Sequence, residues 1–372
     1  MQDIQARAIE LNRSSFVFDT HNDTLMRVVD QEIDLGVRLN EGHIDIPRIR
    51  EGGTDALIFA CYTSPDLMPH QCATRALKMV DAMYKQIELH PNDLELALTT
   101  SDIERVTHAG KIAAVLAIEG GHTIEDDLGI LRMFYKLGVR SMTLTHFNNN
   151  NWADGSAPEQ TIPNHGGLTD FGREVIREMD RLRMLIDISH AADSTFWHVM
   201  ETSKRPVIAS HSDAYALNSH HRNLKDDQIK AIAERRGVIG ANYYAGFLSS
   251  KVNDEMEAMR KSDEYKQIQE EFKDDRRGRA AAMQKLYQKV LSPVPLSVLI
   301  DHIDYIVKLV GPDYVGLGSD FDGISAAPQD LEDISKVPAI TAALLERGYS
   351  DEDIKKILGA NWLRVFREVL GE

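Results

Sequence analysis

The sequence predicts an α/β protein with a (β/α)8 TIM barrel, and three observations lead to this fold class. Short apolar runs recur eight times along the 372 residues. Segments with the apolar spacing of amphipathic helices lie between them. Polar residues follow the runs at every predicted strand end, whereas a doubly wound sheet would gather them at one switch point. One large barrel also suits the length of the chain.

The predicted strands are apolar almost without interruption, which is typical of parallel strands buried on both faces. They cover residues 15–21, 55–62, 112–119, 139–146, 183–190, 205–211, 237–244 and 314–320. Apolar residues at positions i, i+3 and i+4 predict helices over 70–90, 166–183 and 226–237. A doubly wound sheet is the alternative fold, but no GxGxxG motif follows the first run.

Residues 249–292 interrupt this alternation of strands and helices. They are charged and favour helices, and they contain no apolar run. We interpret them as a helical insertion between strands seven and eight of a single barrel domain spanning 1–372. A lid, an oligomer contact and a solvated hairpin all fit such a segment, and a solvated helical excursion is the simplest interpretation.

The composition restricts the possible partners and location of the protein. A formal net charge of −16 argues against nucleic acid and anionic membrane surfaces, because both bind basic patches. No apolar stretch approaches the ~18 residues of a membrane span. Residues 1–15 lack the apolar core of a signal peptide, and Cys61 and Cys72 are the only cysteines. These features predict free thiols and a cytoplasmic location.

Imidazole and carboxylate side chains stand at the ends of the predicted strands. They are His21, Asp23, Glu119, His146, His190, His211 and Asp320. In a (β/α)8 barrel the C-terminal strand ends converge on one mouth, so we expect these side chains to form one functional site. A single histidine at a strand end is more often structural, but four on different strands indicate a common role.

The types of these residues indicate metal chemistry. Imidazole and carboxylate ligands without thiolate suit zinc, manganese or iron. Five such ligands exceed the needs of one tetrahedral zinc and suit two metals that share a carboxylate, for which Glu119 is placed between the other ligands. Two metals ~3.5–4 Å apart hold a hydroxide between them and polarise the group that it attacks. Asp320 is then the expected acid/base.

Several motifs resemble those of a known family, in the same order along the chain. They are HND (21–23), EGG (119–121), LTHFNNN with WADG (144–155), DISH (187–190), SHSDAY (210–215), HHRN (220–223) and GLGSDFDG (316–323). The ordered set resembles the membrane dipeptidase (renal dipeptidase) family of binuclear zinc metallopeptidases, and the longer insertion is similar to that of its bacterial members. The resemblance extends from about residue 16 to 366.

The resemblance implies a barrel of the metal-dependent amidohydrolase type, two zinc ions and hydrolysis of L-Xaa-L-Xaa and L-Xaa-D-Xaa dipeptides. Position by position, His21 and Asp23 match the ligands of one zinc, His190 and His211 match those of the other, and Glu119 matches the bridge. The family resemblance also favours a homodimer.

The same resemblance suggests roles for four further residues. His146 matches a histidine that stabilises the oxyanion, and Asp320 matches the acid/base. Arg222 matches an arginine that binds the free carboxylate of the substrate, a task that suits a guanidinium group. Tyr244 matches a tyrosine that lines the pocket.

Two alternatives to a dipeptidase stay open at this point. The same barrel and metal pair could hydrolyse N-acyl amino acids or lactams, because fold and metal do not select the substrate. A noncatalytic metal-binding barrel is the second alternative. It would be marked by the loss of a ligand or of the acid/base, and none is missing.

Overall fold

The computed structural model describes residues 2–273 and 275–372. Its strands are β1 (Phe18–Asn22), β2 (Ala56–Tyr62), β3 (Leu94–Leu96), β4 (Ile112–Glu119), β5 (Val139–Thr143), β6 (Leu185–Asp187), β7 (Ile208–Ala209), β8 (Val238–Ala241) and β9 (Val315–Leu317).

Eight of these strands close into a parallel barrel. The order β2-β1-β9-β8-β7-β6-β5-β4 is completed by a pairing of β2 with β4, in which Tyr62 lies beside Glu119. β1 joins β9 with Asp19 beside Leu317. The predicted (β/α)8 fold is therefore confirmed.

The strand β3 lies outside the barrel and was not predicted from the sequence. It pairs in parallel with the first residues of β4, from Ile112 to Ala114. β5 pairs with β4 only from Leu116 onward, so β3 occupies the edge that β5 leaves open. Three residues with Glu95 at the centre give no apolar run, which explains why the sequence pattern did not reveal it.

Helices surround the barrel and connect its strands. They are α1 (Gln2–Ser14), α2 (Thr24–Gln31), α3 (Ile46–Gly52), α4 (Cys72–Leu89), α5 (Thr100–His108), α6 (Leu128–Lys136), α7 (Asp170–Leu182), α8 (Asp193–Thr202), α9 (Asp226–Glu234), α10 (Ala245–Leu248), α11 (Ser250–Lys261), α12 (Asp263–Glu271), α13 (Arg276–Val290), α14 (Leu296–Val310), α15 (Val337–Glu346), α16 (Asp351–Lys355) and α17 (Asn361–Leu370). Within the described residues, none of them has both the length and the apolar character to cross a membrane.

The N-terminal ends of the strands are filled by side chains from α17. Trp362 and Phe366 are fully buried and join Phe18 and strand residues of the barrel in one apolar cluster. A Cβ atom at Gly316 would lie 2.0 Å from Trp362 Nε1, so only glycine at this position of β9 accommodates the indole. This end of the barrel is therefore a packed core, and the opposite end is left for a site.

The chain between β8 and β9 contains α10 to α14. The helices α11, α12 and α13, which we call the helical segment (250–290), have a small apolar cluster of their own. It consists of Met256, Met259, Met283 and Leu286. We propose that the helical segment is an insertion in a single barrel domain.

Candidate metal centre and active site

The candidate ligands meet at the C-terminal ends of the barrel strands. His21 lies in β1 and Glu119 is the last residue of β4. His190, His211 and Asp320 lie in the loops that directly follow β6, β7 and β9. His21, Glu119, His190 and His211 are buried, whereas Asp320 is partly exposed. The barrel therefore brings together side chains that are far apart in the sequence.

Glu119 lies at the centre of the cluster, with its two oxygens near different histidines. Oε2 is 3.4 Å from His21 Nε2, whereas Oε1 is 3.1 Å from His190 Nε2 and 3.7 Å from His211 Nε2. The Nε2 atoms of His190 and His211 are 2.9 Å apart. A carboxylate with one oxygen toward each group of ligands has the geometry of a bridge between two cations.

The described residues form three overlapping groups of donors, one of which is His21 with Asp187 and His211. The donor atoms of Glu119, His190 and His211 lie within 4.8 Å of one another, and so do those of His21, Asp23 and Asp320. His21 Nε2 and Asp23 Oδ1 are buried without a hydrogen-bond partner among the described residues. Buried polar atoms normally have partners. These atoms therefore suit metal binding, and their nitrogen and oxygen chemistry fits zinc, manganese or iron.

The protonation states also fit a metal centre. Burial lowers the pKa of His190 and His211 well below the usual value, so both rings are neutral, which is the form that binds a metal. Burial would raise the pKa of Glu119, but the charge of His21 and a hydrogen bond from His190 lower it well below its usual value. Burial would lower the pKa of His21, but Glu119 and Asp23 raise it to about 10. A cation is thus favoured between these carboxylates.

A second carboxylate holds the loops that carry His190 and His211. Asp187 Oδ1 accepts hydrogen bonds from the backbone N–H groups of Ser189 (3.0 Å) and Ser210 (2.9 Å). Its Oδ2 accepts from Thr143 Oγ1 at 2.8 Å and from Ser210 Oγ. The Ser210 hydroxyl is also 2.7 Å from His211 Nδ1. This network fixes the orientation of the imidazole, a common arrangement around metal ligands.

Asp320 is held in a comparable way at the end of β9. Its backbone has φ 61°, its N–H donates to the His21 carbonyl at 2.9 Å, and Asn242 Nδ2 donates to its Oδ2 at 3.0 Å. Burial raises the pKa of Asp320 to about 6. A Cβ atom at Gly323 would lie 2.1 Å from Asp23 Oδ2, so glycine lets this loop approach the carboxylates closely.

His146 lies beside the cluster, on the loop after β5. Its Nε2 is 4.0 Å from Glu119 Oε1, and its ring centroid is 4.4 Å from that of His190. Burial lowers the pKa of His146 to about 4, so the ring is neutral at physiological pH. A neutral imidazole offers one N–H donor to a neighbouring ligand.

A cavity of ≈ 260 Å³ opens above these groups. It is lined by Asp23, Met26, Tyr62, Glu119, His146, Phe147, His190, Tyr244, Phe247, Arg260, Tyr287, Asp320, Gly323, Ile324 and Ser325. Polar groups thus form its floor and aromatic side chains much of its wall. Tyr244 lies on this wall.

Arg222 is not on the wall of this cavity. It lines a smaller cavity next to it, together with His190, Ser212 and His221. Its Nη2 donates to the His211 carbonyl at 2.8 Å and its Nη1 to Ser212 Oγ at 3.2 Å, whereas its Nε has no partner among the described residues. Burial lowers the pKa of Arg222 to about 10, so the guanidinium still carries its charge at physiological pH.

Sequence reasoning missed several residues that support or line the site. Asn242 directly follows β8 but lies inside the longer predicted strand 237–244, so the strand-end argument did not find it. Asp187 and Ser210 are the first residues of the DISH and SHSDAY motifs, but their support of His211 depends on side-chain contacts that a motif does not reveal. Arg260 and Tyr287 gave no signal, because they lie in the charged helical segment.

A (β/α)8 barrel with converging imidazoles and carboxylates at its mouth defines a class, the metal-dependent hydrolases. Residues 5–371 match the sequence profile of the family described as "Membrane dipeptidase (Peptidase family M19)". The chain belongs to this family and is a dipeptidase of this group of metallopeptidases.

Known proteins are similar over nearly the whole chain. The dipeptidase tcpJ of Claviceps purpurea (strain 20.1) is 31% identical over 336 residues, which are 88% of this chain and 69% of that protein. The structure of the probable dipeptidase PvdM from Pseudomonas aeruginosa is 25% identical with a TM-score of 0.83, covering 99% of both chains.

A third similar protein was solved with a bound ligand. It is a metallopeptidase from Rhodobacter sphaeroides, liganded with a phosphinate mimic of the dipeptide L-Ala-D-Ala. It is 26% identical to this chain, with a TM-score of 0.79, and the match covers 96% of this chain and 100% of that one.

Proposed function

We propose that this protein is a zinc dipeptidase that hydrolyses L-Xaa-L-Xaa and L-Xaa-D-Xaa dipeptides. Two zinc ions would be held by His21 and Asp23 on one side, by His190 and His211 on the other, and by Glu119 between them. The observation that carries this proposal is the central position of Glu119, whose two oxygens lie near histidines of different groups. When bound, the two metals supply a nucleophile from water at neutral pH and polarise the scissile carbonyl.

Asp320 is the proposed acid/base of the reaction. Its carboxylate belongs to the same donor group as His21 and Asp23, and it lines the cavity. It would accept a proton from the attacking water and deliver it to the leaving amine. Asn242 holds one of its oxygens at 3.0 Å and thereby leaves the other free to face the substrate.

His146 is the proposed donor to the oxyanion that develops on the substrate. Its position on the cavity wall and its neutral state support this role, because a neutral imidazole can donate one hydrogen bond to a developing negative charge.

Arg222 and Tyr244 are the proposed binding residues for the C-terminal part of the dipeptide. The free carboxylate would interact with the Arg222 guanidinium, which is charged, buried and close to the cavity floor through His190. Tyr244 would contact the side chain from the wall. The relative with the L-Ala-D-Ala mimic supports a dipeptide as the substrate.

The test is a dipeptide panel with zinc-loaded protein whose metal content has been measured. We expect cleavage of L-Ala-L-Ala and L-Ala-D-Ala and resistance of N-acetyl-L-Ala-L-Ala, because Arg222 and the metal cluster would engage the two ends of the substrate. Protein that holds two metals and cleaves none of the free dipeptides would contradict the proposal and direct attention to N-acyl amino acids and lactams.

Two further predictions accompany this function. A homodimer is expected, and size-exclusion chromatography with light scattering would test it. A cytoplasmic location also stays a prediction, and fractionation of cells that produce the protein would test it.

A further inference from the structure

The outer wall of the substrate cavity is built by the helical segment (250–290). Arg260 of α11 and Tyr287 of α13 both line the cavity, opposite the carboxylates and histidines of the barrel. The sequence of this segment is most simply interpreted as a solvated helical excursion, but two of its residues line the same cavity as the candidate metal ligands.

The helix that carries Arg260 is anchored by the apolar cluster of the helical segment, whereas Arg260 itself is exposed. Met256 and Met259 on the same helix are buried in this cluster, and Tyr244 and Tyr287 pack against it. Arg260 follows Met259 directly, at the edge of the cluster that faces the cavity. The helix therefore presents a guanidinium to the cavity from a packed base.

Arg260 is the positively charged side chain of the described cavity lining and forms no ion pair among the described residues. Among the described lining residues of the cavity it is the one arginine or lysine, and no described carboxylate lies within ion-pair distance of it. Its charge does reach the phenols of Tyr244 and Tyr287. Burial raises the pKa of both tyrosines, that of Tyr287 to about 12, while Arg260 acts in the opposite direction. Both phenols are therefore protonated at neutral pH and can donate hydrogen bonds.

We propose that Arg260 is a specificity-determining residue that binds a carboxylate of the substrate at the outer end of the cavity, with Tyr244 and Tyr287 as flanking donors. This inference rests on the proposed dipeptidase function and adds a substrate class to it. A planar guanidinium between two hydroxyl donors matches a carboxylate in geometry and charge. The carboxylate is the side chain of an acidic residue, because the C-terminal α-carboxylate is assigned to Arg222 under the proposed function.

The test compares acidic substrates with their amides in Arg260→Gln protein. The substrates are L-Ala-L-Glu, L-Ala-L-Gln, L-Glu-L-Ala, L-Gln-L-Ala and L-Ala-L-Ala. If the side chain is the ligand, kcat/KM should fall about 10- to 100-fold for one acidic dipeptide and less than about twofold for its amide, as expected for a hydrogen bond to a charged group. A similar loss for all five substrates, mainly through KM, would overturn the inference, because it would place the C-terminal α-carboxylate at Arg260 rather than at Arg222.

Two control variants separate binding from structural effects. Lys261→Gln removes the same charge from the next position of α11, where the side chain is 81% exposed and pairs with Glu257. This control should leave kcat/KM unchanged for all five substrates. Arg260→Lys keeps the charge without the planar fork and should recover part of the lost activity. Equal values for wild type and Arg260→Gln on all five substrates would overturn the inference.

A binding measurement distinguishes failure of this inference from failure of the proposed function. Calorimetry on zinc-loaded protein would use the phosphinate analogues of L-Ala-L-Glu and L-Ala-L-Gln. If wild type cleaves no dipeptide, the proposed function fails. The role of Arg260 is then tested only by the affinity for the two analogues. Weaker binding by Arg260→Gln than by wild type supports its role, and unchanged affinity for both analogues contradicts it.

Discussion

The mouth of the barrel and the helical segment form opposite walls of one cavity, but they are built in different ways. At the mouth, the candidate ligands are buried and held by carboxylates and hydroxyls such as Asp187 and Ser210. In the helical segment, a cluster of four buried apolar residues supports exposed, charged helices. The difference indicates that the candidate metal ligands depend on polar networks between strands, whereas the outer wall of the cavity depends on a small separate core.

The largest expected effect is that of Glu119→Gln at the barrel mouth. Loss of the central carboxylate should lower bound metal from two ions per chain and reduce dipeptide turnover by at least about 10³-fold, because both donor groups share it. Metal analysis and kcat measure the two effects. The matched control is Glu257→Gln in the helical segment, whose carboxylate is 59% exposed. Full metal content in Glu119→Gln would contradict the bridging role.

Asp320→Asn should separate proton transfer from metal binding. We expect kcat to fall about 10²- to 10⁴-fold, the usual range for loss of a general acid/base. Metal bound by Glu119, His190 and His211 should stay, since Asp320 belongs to the other donor group. Protein that keeps both full turnover and full metal content would refute the role given to Asp320.

Ser210→Ala tests the network behind His211. The change removes a hydroxyl that connects His211 Nδ1 with Asp187. We expect metal affinity to fall about 10- to 100-fold, as is typical when an outer partner of a ligand is lost. Competition with a chelator measures this affinity. Ser292→Ala, which removes a hydroxyl bonded to Glu255 beside the helical segment, should leave it unchanged.

Met256→Ala tests the opposite wall. Met256 is 3% exposed in the apolar cluster, and truncation of such a residue costs about 2 to 5 kcal/mol. Because the cluster is separate from the main core, we expect local loosening. Limited proteolysis within 250–290 should accelerate and KM should rise several-fold, while metal content stays constant. Simultaneous loss of metal would show that the two walls are more closely coupled than their contacts indicate.

The smallest expected effect concerns Asp55, at the end of the barrel far from the mouth. Burial raises its pKa from 3.8 to about 6, and its carboxylate accepts the Val17 N–H at 2.9 Å. The folded state therefore holds the proton more tightly, so the free energy of unfolding should decrease as pH rises from about 4 to 6, by about 1 to 2 kcal/mol given the partial exposure. Asp55→Asn should remove this decrease in urea titrations. An identical pH slope in both proteins would exclude Asp55 as its source.

The sequence predicted the barrel well because its strands are continuous apolar runs whose last residues face a common mouth. His21 and Glu119 lie within the observed strands β1 and β4, whereas His190 and His211 ended predicted strands but lie in the loops that follow β6 and β7. In contrast, β3 is too short and too polar to produce a pattern. The boundaries of β6 and β7 are also shorter than predicted, since main-chain pairing ends there before the apolar run does.

The parts of the site that could not be predicted depend on long-range geometry. Arg260 and Tyr287 occupy ordinary helical positions, and only the folding of α11 and α13 over the mouth brings them to the cavity. For Arg222, the motif predicted the residue but not the position of its side chain. Its motif was recognised, but its hydrogen bonds to His211 and Ser212 place it behind the main cavity, which a motif does not reveal.

The network around Asp187 has a consequence for protein engineering. The strand β7 beside this network consists only of Ile208 and Ala209. Main-chain pairing therefore contributes little to the position of His211. A designer who grafts the five candidate ligands onto another barrel would therefore transfer the donor atoms without the hydrogen-bonding groups that orient them. A working graft has to include Asp187 and Ser210 as part of the transplanted unit.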